Sequence, residues 1–465
     1  MEDIIVSGPT FLQQAARYIA RGDLSPYELV RSVLERIDRI NPRLKAYVSV
    51  FHEEALAEAR RATDEIVAHG SRGSLHGIPI AIKDLYDVQG KPTLAGSRVR
   101  EGHVADADSE VVSRLRRAGA VIVGKTITHE FASGVTSPPA RNPWNLDCVP
   151  GGSSGGSGAA VAADLCMAAT GTDTAGSIRI PASVNGVVGL KPTFGRVSKR
   201  GVVPLAWSLD HAGSLAKTVF DVALILEATA GYDPADPSSS EEQIADYTST
   251  LNRGVDRLRV AVVQNWYFDR INGFVAEAIE EAASVLEDLG AWVNELEVPH
   301  LELSMAIHHT LLASEASAYH HPTLLSVPDR YRRDTRRLIE AGELVPATAY
   351  VNAQRARELV RQGFREAFSD ADVVVAPSLP TTAGAFGSSK VQIDGAEDIT
   401  QAYVRLSVPA NLAGLLALSV PCGFHDGLPI GLQIMGRPFD EQTVLRAGHA
   451  YEQATGHYVR RPPLR

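Results

Sequence analysis

The sequence predicts an α/β protein. Two observations carry that expectation. Stretches with helical apolar spacing alternate with short apolar, β-branched runs, and several of those runs have the length and composition of buried strands. In order, Ser25-Pro26-Tyr27-Glu28 offers an N-cap serine, a proline at the first helical position and a glutamate at the third. Leu29, Val33, Leu34, Ile37 and Ile40 then recur at helical spacing until Asn41-Pro42, where the helix is expected to stop. A second helix is expected over His52–His69. Ile78–Ile82 reads as a buried strand, Ser109–Ala118 as a helix, and Ala120–Gly124 as a strand ending in Lys125-Thr126. The pattern recurs at Ala159–Ala169, which reads as helix-like, and at Leu258–Gln264 followed by Phe274–Leu289. Val373–Pro377 and Leu418–Pro421 read as further strands, and a helix is expected from about Glu441.

A chain of 465 residues can bury one large core or two smaller ones. The reading adopted is a helical segment over 1–70 packed on one main domain, 71–465, with 300–365 as a helical lid or substrate wall. That last stretch is locally basic at Arg330, Arg332, Arg333, Arg336 and Arg337, a pattern that a solvated helix surface also explains. Hydrophobic residues make up 45% and charged residues 22%, an ordinary globular mix. The net charge of -10 repels a phosphate backbone and argues against nucleic acid as a partner. Only three cysteines occur, with no CxxC and no zinc spacing, which fits a reducing compartment. The first residues carry early acids and no apolar run of leader type, and no stretch approaches 18 uninterrupted apolar residues. A cytoplasmic protein without a membrane span is the resulting expectation.

The chemistry concentrates in Pro150-Gly151-Gly152-Ser153-Ser154-Gly155-Gly156-Ser157-Gly158 and in Gly171-Thr172-Asp173-Thr174-Ala175-Gly176-Ser177-Ile178-Arg179. Small residues permit tight curvature and leave backbone N–H groups free to converge on an anion. Either a phosphate or the oxyanion of an acyl transfer fits. The phosphate loop GxxxxGK[ST] is absent, and the GxSxG match at Gly151–Gly155 is weak within a glycine run. A flexible linker is the plainer alternative, set aside because the surroundings are apolar. Lys83 follows a buried strand, where burial disfavours its charge and makes it a competent base. A salt-bridged lysine is the plainer reading of that residue taken alone.

Resemblance goes further. The chain resembles the amidase signature family from Ser25 to its last residues, most densely from Gly77 to Val219. The residues that carry the likeness are Gly77-Ile78-Pro79 leading to Ile82-Lys83-Asp84, then Gly124-Lys125-Thr126, Asn142-Pro143-Trp144-Asn145, Pro150 to Ser157 and Asp173 to Pro181. Gly189–Thr193, Ser208-Leu209-Asp210, Ser419-Val420-Pro421 and Gly427–Gln433 complete the set. The resemblance implies an amidase signature fold, a central twisted mixed β-sheet covered by helices on both faces. It implies Lys83 as base, Ser153 as bridging serine after a cis peptide, Ser177 as nucleophile, and backbone N–H groups of Thr174, Ala175, Gly176 and Ser177 as oxyanion hole. Ser154, Asp173 and Arg179 are expected in support, Asp84 as an anchor of the base segment, and Thr128, Phe131 and Trp207 as substrate wall. Tyr319 and Phe386 are further apolar wall candidates; His129 and His211 receive no chemical role.

The function implied is hydrolysis of a carbon–nitrogen bond in a small, largely apolar acyl or aryl amide, with carbamate and ester cleavage as side activities, no cofactor, no metal, and a homodimer compatible with the family. The alternative is the glutaminase subunit of a Glu-tRNA(Gln) amidotransferase, which brings partner subunits and tRNA; an inactive binding protein of the same fold is the alternative of another class. Three positions depart from the family pattern. Ala175 stands where glycine is frequent, Leu416 where proline is common, and Ile180 where the amidotransferase branch usually has glutamine.

Overall fold

A computed structural model describes residues 11–464. The first ten residues of the 1–70 segment, and with them most of the leader expectation, lie outside the described residues. The strands are β1 Tyr47–Val50, β2 Pro79–Lys83, β3 Val121–Thr126, β4 Ala168–Asp173, β5 Val188–Lys191, β6 His211–Ala216, β7 Arg259–Val263, β8 Trp292–Leu296, β9 Val373–Pro377, β10 Lys390–Gln392, β11 Ala396–Asp398, β12 Leu416–His425 and β13 Leu428–Gly436. Eleven of them form one twisted mixed sheet flanked by helices, in the order β1-β3-β2-β4-β6-β5-β12-β13-β9-β7-β8. β10 and β11 make a separate hairpin. β3, β2 and β4 run parallel to one another, as do β9, β7 and β8; the strands from β4 through β6, β5, β12 and β13 to β9 alternate in direction.

The helix Pro26–Leu44 starts as its sequence dictates. The Ser25 side chain accepts from Glu28 N–H while the Glu28 carboxylate accepts from Ser25 N–H, a reciprocal cap. Leu29, Val33, Leu34, Ile37 and Ile40 face the core, each contributing about 1.5–3 kcal/mol by burial. The expected stop at Asn41-Pro42 is corrected, because the helix runs on to Leu44 with Pro42 inside its last turn. Lys45 then adopts a left-handed conformation with φ 53° and returns its N–H to Asn41 O.

A second correction concerns Ala159–Ala169. The helix there is Gly155–Ala162, beginning inside the glycine run, and Ala168-Ala169 open β4. The glycines permit this early start because the helix is fully buried, packed on β2, β4 and β6. Three helices, Ser304–Ser326, Arg333–Gly342 and Ala347–Asp370, occupy the 300–365 region. Among the described residues no helix is long and apolar enough to cross a membrane.

Candidate active site

The carboxyl ends of β2 and β4, parallel neighbours, meet at one crevice, the usual position for chemistry in an open α/β sheet. Lys83 is the last residue of β2 and is fully buried. Its Nζ lies 2.8 Å from Ser153 Oγ, 2.8 Å from Ser154 Oγ and 2.7 Å from Thr172 Oγ1. Thr170 and Thr172 are two apart on β4 and so share a face; Thr170 Oγ1 accepts the Lys83 N–H at 2.8 Å. Burial drives the Lys83 pKa well below the ordinary lysine value, against a weaker opposing pull from the charges of Asp173 and Asp210. A neutral amine has two protons and one lone pair, so one of the three hydroxyls must donate to it. The Ser154 hydroxyl already donates to Thr172 O at 3.3 Å. The Ser153 and Thr172 hydroxyls are left to donate to Lys83.

Ser153 follows a cis peptide bond from Gly152. Its carbonyl accepts from the His129 N–H at 3.1 Å and from the Ser137 hydroxyl at 2.9 Å. A side chain at Gly152 would meet the backbone of Val135 and Thr136 at 2.6 Å, so glycine is what lets that segment lie against Ser153.

Ser177 sits on the turn between β4 and the short helix Arg179–Asn185. Asp173 organises that turn. Its carboxylate accepts from Gly176 N–H at 2.8 Å and Ile178 N–H at 3.2 Å, and forms a fully buried ion pair with Arg179 at 2.9 and 3.0 Å. Burial works to raise the Asp173 pKa, but the Arg179 charge and hydrogen bonds outweigh it and hold the carboxyl well below its ordinary range. Arg179 is itself tied to Ser407 O at 3.0 Å, Asn411 Oδ1 at 2.5 Å and Gln433 Oε1. Thr174 donates its hydroxyl to buried Asp210 at 2.6 Å. The commitment of the Gly176 N–H to Asp173 modifies the sequence expectation of four converging donors. Among the described residues no acceptor meets the N–H groups of Thr174, Ala175 and Ser177.

Ser177 opens onto a cleft of about 780 Å³. Its apolar lining includes Ala132, Val135, Val149, Leu205, Leu312, Leu338, Phe386 and Val404. Polar lining includes His129, His308, His309, Arg332, Asp334, Arg337, Asp398 and Gln401, with several serine and threonine side chains. Burial pushes His308 down to about 3, so it faces the cleft uncharged near neutral pH.

An amidase family model matches residues 28–445. An amidase of Pseudomonas putida is 45% identical over 457 residues, covering 97% of each chain. The chain belongs to the amidase signature family. A glutamyl-tRNA(Gln) amidotransferase subunit from Geobacter metallireducens is 39% identical, over 95% of this chain and 96% of its own. One solved chain, from an inhibitor-bound vestigial protein complex that bears on the origins of an s-triazine catabolic enzyme, superposes with a TM-score of 0.92 at 35% identity, covering 96% of this chain and 98% of its own. Membership makes this protein an amidase-signature hydrolase, acting on amide bonds by a serine-based mechanism.

Within this amidase-signature protein Lys83, Ser153, Ser154 and Thr172 come together as described, with Asp173 and Arg179 beneath the Ser177 turn. Asp84 pairs with buried Lys125 at 3.0 Å. The wall is corrected. Thr128 is buried and turns its hydroxyl to His129 O. Phe131, at φ 48°, turns into the core against His320 and Tyr331. Trp207 is 58% exposed and lines a separate cavity of about 210 Å³ that shares only Ala132, Thr174 and Leu205 with the Ser177 cleft. Tyr319 lies outside the cleft lining, whereas Phe386 is part of it. His308, His309, Leu312 and Leu338 had no local sequence signal beyond a helical region; only the tertiary fold brings them to Ser177. His211 lines the separate cavity and donates through Nδ1 to the carbonyls of Leu209 and Asp173. Of the three departures, Ala175 lines the cleft, while Ile180 and Leu416 are fully buried.

Proposed function

We propose that the protein hydrolyses the amide bond of a small, largely apolar acyl or aryl amide, through an acyl-enzyme on Ser177. The observation that carries this reading is a fully buried Lys83, of depressed pKa, 2.8 Å from Ser153 Oγ. In the proposed cycle neutral Lys83 takes the Ser153 proton while Ser153 takes that of Ser177, which attacks the carbonyl carbon. The N–H groups of Thr174, Ala175 and Ser177 hold the oxyanion. The relay returns its proton to the departing amine as the C–N bond breaks. Water, deprotonated along the same chain, then attacks the ester and releases the acid. The apolar lining of the Ser177 cleft supports the apolar substrate class, and a carbamate or an ester fits the same steps.

A glutaminase role is the second reading. It is supported by the amidotransferase relative and by Arg337, which lines the cleft with no carboxylate partner among the described residues and offers a site for a carboxylate. Ile180, in place of the glutamine usual in that branch, weighs against it. The test is product release from acetyl, benzoyl and longer-chain anilides, a matching aryl carbamate and glutamine, comparing wild type with Ser177→Ala. The first reading expects Ser177-dependent anilide cleavage by the chain alone. Glutamine turnover that appears only on adding amidotransferase partner subunits, with the anilides inert, overturns it.

A further inference from the structure

The loop after β3 does more than border the cleft. His129 is 5% exposed and faces two ways. Its backbone N–H donates to Ser153 O at 3.1 Å, and its imidazole Nε2 lies 3.2 Å from Asp334 Oδ2, in the first turn of the helix Arg333–Gly342. The ring is seated over Gly134, where an added side chain would meet it at 2.4 Å. Next along the loop, Glu130 is 2% exposed, and its carboxylate accepts from the Arg332 N–H at 2.8 Å and the Ser97 hydroxyl at 2.6 Å. Phe131 then packs its ring edge on His320, 4.3 Å between centroids, and against Tyr331. Three consecutive side chains of one loop thus grip the segment 331–334, while the backbone of the first grips the bridging serine. That segment opens into the cleft wall, which includes Arg332, Asp334, Arg337 and Leu338.

We propose that His129 is a positioning residue that registers the Arg332–Leu338 wall against Ser153, so that a substrate long enough to touch the wall is aligned with the relay. It takes no proton in the reaction. The inference rests on the reading of Ser177 as nucleophile. The Asp334 side chain is 56% exposed, so its replacement leaves the core intact, and the pair can be opened from the surface side. Asp334 is also approached by Arg332 Nε at 3.7 Å, so the pair belongs to the same wall segment whose register it sets.

The test measures KM and kcat for His129→Ala, Asp334→Ala and the double variant on two substrates, a long-chain anilide and p-nitrophenyl acetate. Burst labelling of Ser177 by the acetate ester in wild type reports the underlying nucleophile assignment separately. With labelling intact, Asp334→Ala is expected to raise KM for the anilide about fivefold more than for the acetate, and the double variant to be no worse than His129→Ala alone. His129→Gln, which keeps a donor at the ring position, is expected to recover part of the loss. Losses that multiply in the double variant, or that fall equally on both substrates, overturn the proposal. Absence of Ser177 labelling in wild type overturns the nucleophile assignment instead, and the inference with it.

Discussion

Two buried lysines end two neighbouring parallel strands, and they are opposites. Lys125 near the end of β3 meets Asp84 at 3.0 Å, Thr93 Oγ1 at 2.8 Å and Pro92 O at 3.0 Å. Lys83 at the end of β2 meets three hydroxyls and no carboxylate. Burial lowers the pKa of both, but for Lys125 the Asp84 charge and hydrogen bond pull back. A carboxylate within hydrogen-bond reach favours the charged lysine, whereas hydroxyls alone leave burial to favour the neutral amine. The difference lies in what the next strand supplies: Thr170 and Thr172 of β4 on one side of β2, and the Asp84 turn over β3 on the other.

The largest expected effect breaks that comparison on activity. Lys83→Met is expected to lower kcat/KM by about 10³-fold or more in a folded protein, because it removes the proton acceptor from the relay. Lys125→Met is expected to act on stability, since it strands Asp84 as a buried unpaired carboxylate at a cost of about 3–5 kcal/mol. Urea midpoints and kcat/KM on the same purified variants separate the two. If folded Lys125→Met loses as much activity as Lys83→Met, the division of labour is wrong.

The second expectation sharpens the comparison through pH. Lys83 has a folded pKa depressed below its unfolded value, so between the two the unfolded chain binds the extra proton. Stability from this group is complete above the ordinary lysine value and is lost as pH falls toward the folded one. The stability of wild type relative to Lys83→Met is therefore expected to rise with pH across that window, by at most about 1.4 kcal/mol per unit. Denaturation at pH 7 and pH 9.5 gives the sign, and a difference that falls with rising pH refutes a neutral Lys83. The same depression places the base limb of kcat/KM below the ordinary lysine range.

Little of this contrast was legible in the sequence. Lys83 and Lys125 both follow short apolar runs, and nothing local distinguishes them; the resemblance to a family selected Lys83. The capped helix from Pro26 and the strand Val373–Pro377 were readable because their signals are local. β5 and β6 were not: β5 has only four residues, β6 is rich in glycine, serine and alanine, and the residues that pair them lie 20 or more positions apart. The wall failed for a similar reason. Phe131 was a wall candidate through the family resemblance, but the left-handed backbone there sends its ring into the core. Part of the cleft lining instead comes from helices more than 100 residues further along, at His308, Leu312 and Leu338.

The smallest expected effect concerns the second serine beside Lys83, Ser154. Ser154 lies as close to Nζ as Ser153 does, so distance alone does not say which serine relays the proton. Its remaining contacts do. The Ser154 hydroxyl donates to Thr172 O and accepts from Thr172 N–H at 3.3 Å, which leaves it no free proton to pass and fixes it as an acceptor for Lys83. Removing it frees one amine proton from its partner and loosens the base, a loss of one buried hydrogen bond worth about 1 kcal/mol, or roughly five- to tenfold in kcat. Ser153→Ala instead cuts the path between Ser177 and Lys83. Ser154→Ala is accordingly expected to lose only that five- to tenfold and to shift the base limb of the pH profile, whereas Ser153→Ala is expected to approach the level of Lys83→Met. Equal losses in the two serine variants would mean that the proton path runs through both hydroxyls and that the contacts of Ser154 with Thr172 give way during turnover.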